Sequence, residues 1–476
     1  MGLQKSEIQL KFTLDEKLGS LSPQIAEHIR QAISAGELKA GDRIPASRKL
    51  ANDLGVARGT VTVAIDLLVA EGVLEAHPGS GTYVSHAAAD LFTSERACRV
   101  EGAVQPPQSV PQPDIDIEVR NVIDFRPCRP SLEAFPVQIW RRCMSAAVSS
   151  VPSSDYGDPR GDEMLRQNIL DYLRRARGLS ATTDQIIITN GSVHAMHILS
   201  RLYLDEAANV VVENPGYPLA RQTFELCKAG IIACPVDENG LRTDELPDKN
   251  HNVKFVCVTP SHQFPTGYRL SLERRRALIE WADANGALII EDDYDGEFRY
   301  DVPPLAPLAA LSPDSVVYCG TFSKTMFPGL RIGFAIAHRE VIDAIAAYRT
   351  ISEYAPNAPL QKALSIFIAD GHFAKHIYRM NRIYASKRRR VADTLKELNA
   401  PAKLTGLDSG LSVLMTLTGS MSASNLSGRA QQNGVLVPPV SRYDALKKLT
   451  DDALVLGYAS ASEEEISMGI EHLFKV

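Results

Sequence analysis

The sequence predicts an α/β protein preceded by a small helix-rich domain. Two observations predict it. About 355 residues toward the C-terminal end alternate short apolar runs with amphipathic segments, whereas roughly the first 85 read as amphipathic helices followed by a glycine-tipped hairpin. The length of 476 residues fits about three domains at roughly 150 residues each. With 45% hydrophobic and 23% charged residues, the chain can bury a large core, which excludes a disordered or collagen-like protein. Its 51 Lys and Arg against 57 Asp and Glu leave a net charge of -6, which excludes an indiscriminate coat on nucleic acid.

In the first block, Ile25, Ile29 and Ile33 follow Ser22-Pro23 and stop at Gly36, the pattern of a capped amphipathic helix. A second helix is expected from Ser47 to Leu54, ended by Gly55. Val61, Ile65, Leu68 and Val69 then fall on one stripe of a third helix that starts near Arg58. Two helices joined by the short Gly55-Val56-Ala57 turn make a helix-turn-helix. Two strand-like runs around Gly79-Ser80-Gly81 add a wing. Between about residues 86 and 121 periodicity is lost and prolines stand at 106, 107, 111 and 113, the composition of a linker.

Beyond the linker, strands are expected at 186–189, 210–213, 255–258, 287–290, 316–318 and 333–336. Several are continuous apolar runs, as in parallel strands covered on both faces, and the helical segment Leu272 to Asn285 lies between two of them. Seven cysteines show no C-x-x-C and no Cys/His cluster at ligand spacing, so no metal site and a reducing, cytoplasmic setting are expected. The N-terminal residues lack the apolar core of a secretory signal. The longest charge-free stretch, Ser409 to Gly428, holds 12 Ser, Thr, Gly or Asn among 20 residues, so no membrane partner is expected.

Gly41-Asp42-Arg43-Ile44-Pro45-Ala46-Ser47-Arg48-Lys49-Leu50-Ala51, followed by Leu54-Gly55-Val56-Ala57-Arg58-Gly59-Thr60-Val61, resembles a GntR-type winged helix-turn-helix over residues 21 to 85. In such a reader Arg58 and Thr60 face a DNA groove, Arg48 and Lys49 neutralise phosphates, and Gly79 and Gly81 let the wing approach the backbone closely. Residues 1 to 85 are nearly neutral, with nine Lys or Arg against ten Asp or Glu. Residues 43 to 58, in contrast, hold Arg43, Arg48, Lys49 and Arg58 against Asp53 alone, which concentrates positive charge on the reading face. Two positions depart from the family: Ala57 where Ser is common, and His77 where a basic residue is common.

Chemistry in the second block centres on Thr321-Phe322-Ser323-Lys324-Thr325-Met326-Phe327-Pro328-Gly329-Leu330-Arg331. A lysine in a hydroxyl-rich turn after a strand, with an arginine seven residues on, suits a Schiff base beside an anion pocket, and pyridoxal 5'-phosphate (PLP) needs both. The acidic residues after Ile290 supply a carboxylate that keeps a pyridine nitrogen protonated.

With these motifs residues 122 to 476 resemble the fold-type-I aminotransferases, and the whole chain resembles the MocR/PdxR group of bacterial regulators, which join such a domain to a GntR-type reader. The resemblance implies a winged helix-turn-helix domain over 1–86, a proline-rich linker over 87–121, and a PLP-binding effector and dimerisation domain over 122–476, with a large mainly parallel-sheet part and a small α+β part. It implies Lys324 as the Schiff-base lysine, Asp292 opposite the pyridine nitrogen, and Tyr294 near the ring hydroxyl. Arg331, Thr321 and Ser323 would hold the phosphate with Gly191, Ser192 and Val193 at a helix N-terminus. Tyr217 would stack on the ring, and Tyr156 would reach the phosphate in the partner subunit of a homodimer.

Asp293 and Asp295 read as turn formers beside the site. In Ser261-His262-Gln263-Phe264-Pro265-Thr266-Gly267, Phe264 stands where aminotransferases place the asparagine that bonds the ring hydroxyl, so that contact is lost or passes to His262 or Gln263. Val455 stands where related enzymes use an arginine to clamp the substrate carboxylate. The expected function is a PLP-dependent regulator that binds operator DNA and senses PLP or a small amino compound through aldimine chemistry at Lys324. The alternative is an active aminotransferase with a DNA-binding appendage.

Overall fold

A computed structural model of the chain describes residues 12–15, 19–88, 121–149, 153–300, 305–419 and 421–474. The chain divides into two compact units, residues 1–109 and 110–476. Nearly all of the linker expected over 87–121, including its four prolines, lies outside the described residues.

The first unit comprises α1 (Leu21–Ser34), α2 (Ser47–Leu54), α3 (Arg58–Ala70), β1 (Leu74–His77) and β2 (Gly81–Val84). Gly55 ends α2 at φ 68 and ψ 26, a left-handed cap that costs glycine no Cβ clash. β1 and β2 pair antiparallel with His77 opposite Gly81, so the wing turns through Pro78-Gly79-Ser80. The buried face of α3 is Val61, Ala64 and Leu68, while Ile65 and Val69 are only half-buried. The core therefore meets a slightly rotated stripe, with alanine where α1 crosses. Ile25, Ile29 and Ile33 of α1 are fully buried against it. Arg30 of α1 also clasps Glu71 just past α3, with N–O distances of 2.7 and 2.8 Å.

In the second unit β3 (Ile123–Asp124) precedes β4 (Ile186–Thr189), β5 (Asn209–Asn214), β6 (Gly230–Asp237), β7 (Gly240–Leu241), β8 (Val253–Val258), β9 (Leu288–Asp293), β10 (Val316–Thr321) and β11 (Gly333–Ile336). β12 (Ala402–Thr405), β13 (Ser412–Leu417), β14 (Val435–Leu436) and β15 (Ala453–Gly457) follow. The large sheet has the order β4-β11-β10-β9-β8-β5-β6-β7. Its central pairs are parallel, β11 runs antiparallel to both neighbours, and β7 turns back on β6. The continuous apolar runs have a simple cause: Ile186 and Ile188 point into one core cluster and Ile187 into the other, because helices cover both faces.

The small part is the antiparallel sheet β12-β13-β15 together with the parallel pair β3-β14. The residues just after 120 are thus woven into the C-terminal stretch. No helix among the described residues is long and apolar enough to cross a membrane.

Leu68 is fully buried in a core confined to the first unit. Leu68→Ala is expected to destabilise that unit by about 2–5 kcal/mol, and calorimetry of the full chain should show the transition of the second unit unmoved.

Candidate active site

Six strands of the large sheet, β4, β5, β6, β8, β9 and β10, run in one direction, and the site is built from turns that follow them at one end of the sheet, the usual place for a ligand in an α/β sheet. A cavity of about 290 Å³ opens there. It is lined by Gly191, Ser192 and Val193 after β4, Tyr217 after β5, Asp292 and Tyr294 at the end of β9, Thr321, Ser323 and Lys324 after β10, and Arg331 before β11. Ten of the residues expected from sequence thus share one cavity. Tyr156, expected to act across a subunit boundary, is not among them. It is 71% exposed and stacks on Tyr354 with ring centroids 4.4 Å apart.

One end of the cavity is polar and cationic. Gly191 stands at φ 103 immediately before the helix Ser192–Tyr203, which leaves the first amide groups of that helix without intrahelical acceptors. A Cβ on Gly191 would lie 3.1 Å from Nη2 of Arg331, closer than an ordinary contact, so a side chain there would push the guanidinium back. Arg331 holds a left-handed backbone at φ 51 and donates to the Asn190 carbonyl. Thr321 and Ser323 bond each other, Oγ1 to Oγ at 3.1 Å, and Ser323 N–H donates to Thr321 Oγ1. Cation, hydroxyls and a helix N-terminus converge as an anion requires.

The other end holds a carboxyl group and an amine. Asp292 is buried, and its Oδ1 has no hydrogen-bond partner among the described residues. Desolvation pushes its carboxyl up to about 7, against a lowering bond from Ser192. Lys324 Nζ donates to the Cys128 carbonyl at 2.8 Å, an oxygen presented by a residue at φ 64.

Asp293 closes β9 and Asp295 opens the turn that follows, its carbonyl accepting from Phe298 N–H at 3.0 Å, and both side chains are buried and paired. Asp293 pairs with buried Arg177 at 2.6 Å and accepts from Tyr318 at 2.6 Å. Asp295 meets His262 Nδ1 at 2.8 Å. Their sequence context shows acid followed by glycine, whereas their partners come from strands and helices far away in the chain.

Gln263 is committed to its own loop: Nε2 donates to Glu213, the Pro215 carbonyl and the Phe264 carbonyl, while Oε1 accepts from Thr266. Phe264 meets Tyr217, Tyr294 and Tyr443 edge-on at 5.8, 6.1 and 5.1 Å. Val455 lies fully buried in the same apolar cluster. Cys128, Leu219, Thr259, Arg442 and Tyr443 also line the cavity. Sequence reading missed them, since no local motif marks them.

In the first unit Arg48 and Arg58 are exposed at the starts of α2 and α3, while Lys49 and Thr60 are half-buried. Arg58 Nε donates to Ser47 Oγ at 3.3 Å, which ties the two helix starts together. Gly79 and Gly81 take φ 76 and φ 124. A Cβ on Gly81 would stand 2.6 Å from Arg43 Nε, so this glycine also makes room for a cation inside the wing.

Residues 130–473 match the family of class I and II aminotransferases, and residues 21–84 match the bacterial regulatory proteins of the gntR family. The chain is 33% identical to a probable rhizopine catabolism regulatory protein, MocR, of Rhizobium meliloti, covering 94% of this chain and 92% of that one. It is 34% identical to the pyridoxine biosynthesis transcriptional regulator PdxR of Corynebacterium glutamicum, with 94% of each covered. The chain belongs to the MocR/PdxR family of transcription regulators. Among solved structures, kynurenine aminotransferase of Pyrococcus horikoshii, in complex with PMP, superposes with a TM-score of 0.68 at 27% identity over 75% of this chain and 90% of that one. The second unit of this MocR/PdxR regulator therefore has the fold-type-I aminotransferase fold, and its cofactor is PLP. The residues present suit that group: an amine, a buried carboxyl with one free oxygen, and an anion end.

Keeping Asp292 neutral in the fold favours the native state fully below about pH 4, and that contribution is lost as pH rises through about 7. Asp292→Asn removes this dependence. With PLP stripped, the variant is expected to melt above the parent at pH 8, by up to about 4 kcal/mol in stability, and to match it near pH 4. With PLP present the order at pH 8 should shrink or reverse.

Proposed function

We propose that residues 1–86 read operator DNA, that 87–121 tether them, and that 122–476 form a homodimeric sensor for PLP itself or a small amino compound. The observation that carries this reading is the single cavity that joins the Lys324 amine, the partnerless Asp292 oxygen and the Arg331 anion end. When bound, PLP supplies an aldehyde carbon that condenses with amines and an electron-withdrawing ring. Lys324 is the amine that would hold it, and an effector amine entering the cavity would compete with Lys324 for it. Asp292 holds a proton on the pyridine nitrogen, an arrangement that ionises the otherwise costly buried carboxyl. Arg331, Thr321, Ser323 and the amides of Gly191, Ser192 and Val193 orient the phosphate. Tyr217 covers one face of the ring, and Tyr294 donates to the ring hydroxyl.

Tyr156, exposed on its own subunit, completes the phosphate site of the partner subunit. In the reader, Arg58 and Thr60 meet the groove, while Arg48, Lys49 and the Gly79–Gly81 wing meet the backbone. Such a protein works in the cytoplasm, where its DNA is. The aminotransferase reading is disfavoured by Val455, an apolar residue buried where related enzymes place the carboxylate-clamping arginine, and by Phe264 at the asparagine position.

Two measurements test the proposal. Lys324→Ala is expected to abolish the protein-linked cofactor absorbance, and a persistent linked band would overturn the assignment. Arg58→Ala is expected to weaken binding to DNA upstream of the protein's own gene by about 1–3 kcal/mol if it contacts a base. Fast multiple-turnover exchange between amino acids and keto acids would instead make the enzyme reading primary.

A further inference from the structure

His262 Nδ1 faces two oxygens at once, Asp295 Oδ2 at 2.8 Å and Tyr294 Oη at 3.0 Å. All three side chains are buried, with His262 3% and Asp295 2% exposed. An ionised carboxylate only accepts hydrogen bonds, so the nitrogen beside it carries the hydrogen. A ring nitrogen that carries a hydrogen has no lone pair with which to accept from a hydroxyl. The single Nδ1 hydrogen is shared between Asp295 Oδ2 and the Tyr294 oxygen, and the tyrosine's own hydrogen turns away from the histidine toward the cavity that Tyr294 lines.

The far nitrogen, Nε2, is buried without a partner among the described residues. That is the less costly arrangement when Nε2 bears a lone pair rather than a hydrogen, which again places the hydrogen on Nδ1. Backbone packing fixes the ring. A Cβ on Gly410 would lie 2.0 Å from His262 Cε1 and 2.6 Å from Asp295 Oδ2, and one on Gly267 would lie 3.1 Å from Nε2. Gly410 is itself pinned, since its carbonyl accepts from Tyr300 at 2.8 Å and from Tyr458 at 2.7 Å.

We propose that Asp295 and His262 form a positioning pair that holds the Tyr294 hydroxyl as a donor toward the ring oxygen of the cofactor. The pair supplies from behind the orientation that aminotransferases obtain directly from the asparagine replaced by Phe264. The inference rests on the reading that PLP occupies this cavity with Tyr294 beside its ring hydroxyl. Neither His262 nor Asp295 lines the cavity, whereas Tyr294 does; both act through Tyr294.

The test is the pH titration of the bound cofactor's absorbance band in the full-length, PLP-loaded protein. A donor to the ring oxygen stabilises its anionic form, so losing that donor raises the midpoint. Tyr294→Phe is expected to raise it by about one pH unit. Asp295→Asn and His262→Leu are expected to raise it by about half a unit or more, because the hydroxyl is then free to turn its hydrogen elsewhere. His262→Asn, whose amide N–H can stand where Nδ1–H stands, is expected to restore the midpoint to near the parent value. In a Tyr294→Phe background, Asp295→Asn should add nothing.

The sign discriminates. The other charged or titratable groups around Tyr294 and His262 are Asp292, Lys324, Cys128, Glu213 and the Arg177–Asp293 pair, and all are unchanged in these variants. Removing the Asp295 charge alone would favour the deprotonated form and lower the midpoint. A lowered or unmoved midpoint in Asp295→Asn and His262→Leu, or a shift that persists without the Tyr294 hydroxyl, would overturn the proposal. If Asp295→Asn does not fold, the His262→Leu and His262→Asn pair decides alone. Failure of the underlying reading shows differently, as the absence of any cofactor band that Lys324→Ala removes.

Discussion

A carboxyl group buried without a full set of partners is the constraint on which the second unit is organised. Asp292 sits at the end of a central strand, almost entirely buried, with one oxygen that has no hydrogen-bond partner among the described residues. Folding tolerates such a group because the surrounding strands are long apolar runs packed on both faces, and their burial offsets a local cost of a few kcal/mol. The same cost is what gives a cationic ring nitrogen a reason to bind there. Placement follows from topology: parallel strands deliver their carboxyl ends to one edge, so turns widely separated in sequence meet around this one oxygen.

Much of this was legible in the sequence. The strand at Ile186–Thr189, the helix from Leu272 to Asn285 and the start of α3 at Arg58 fall where periodicity and capping residues put them, since each is set by signals within a few residues. The candidate cofactor residues were legible for a similar reason, because each closes a strand and opens a turn. In the small part the strand around Val455 was legible as an apolar run, whereas β3, β12, β13 and β14, and β6 of the large sheet, were not singled out, for their patterns are weak and their pairing is long-range. Cys128, Arg442 and Tyr443 reach the cavity only because chain segments distant in sequence fold back over it. Asp295 shows the limit most clearly. Beside a glycine it has the local signature of a turn former, and its buried partner His262 lies 33 residues away.

Charge is distributed by the same logic. The chain is acidic as a whole, yet the reader carries exposed Arg48 and Arg58 at adjacent helix starts. The sensor instead holds several carboxyl groups buried around its site, where Glu213, Glu291 and Glu297 are all pushed upward by desolvation. Net charge therefore describes neither functional surface.

The pairing of β3 with β14 joins two segments about 310 residues apart in sequence. The first strand described in the second unit, Ile123–Asp124, belongs to the small part and not to the large sheet. Asp124 and Phe125 then bond to Ser460 and Gly457 near the end of the chain, and the Phe125 ring packs so closely that a Cβ on Gly469 would stand 2.5 Å from it. The two-residue pair β3-β14 thus ties the first described residues after 120 to the last helix and strand of the small part, so a change in either is felt by the other.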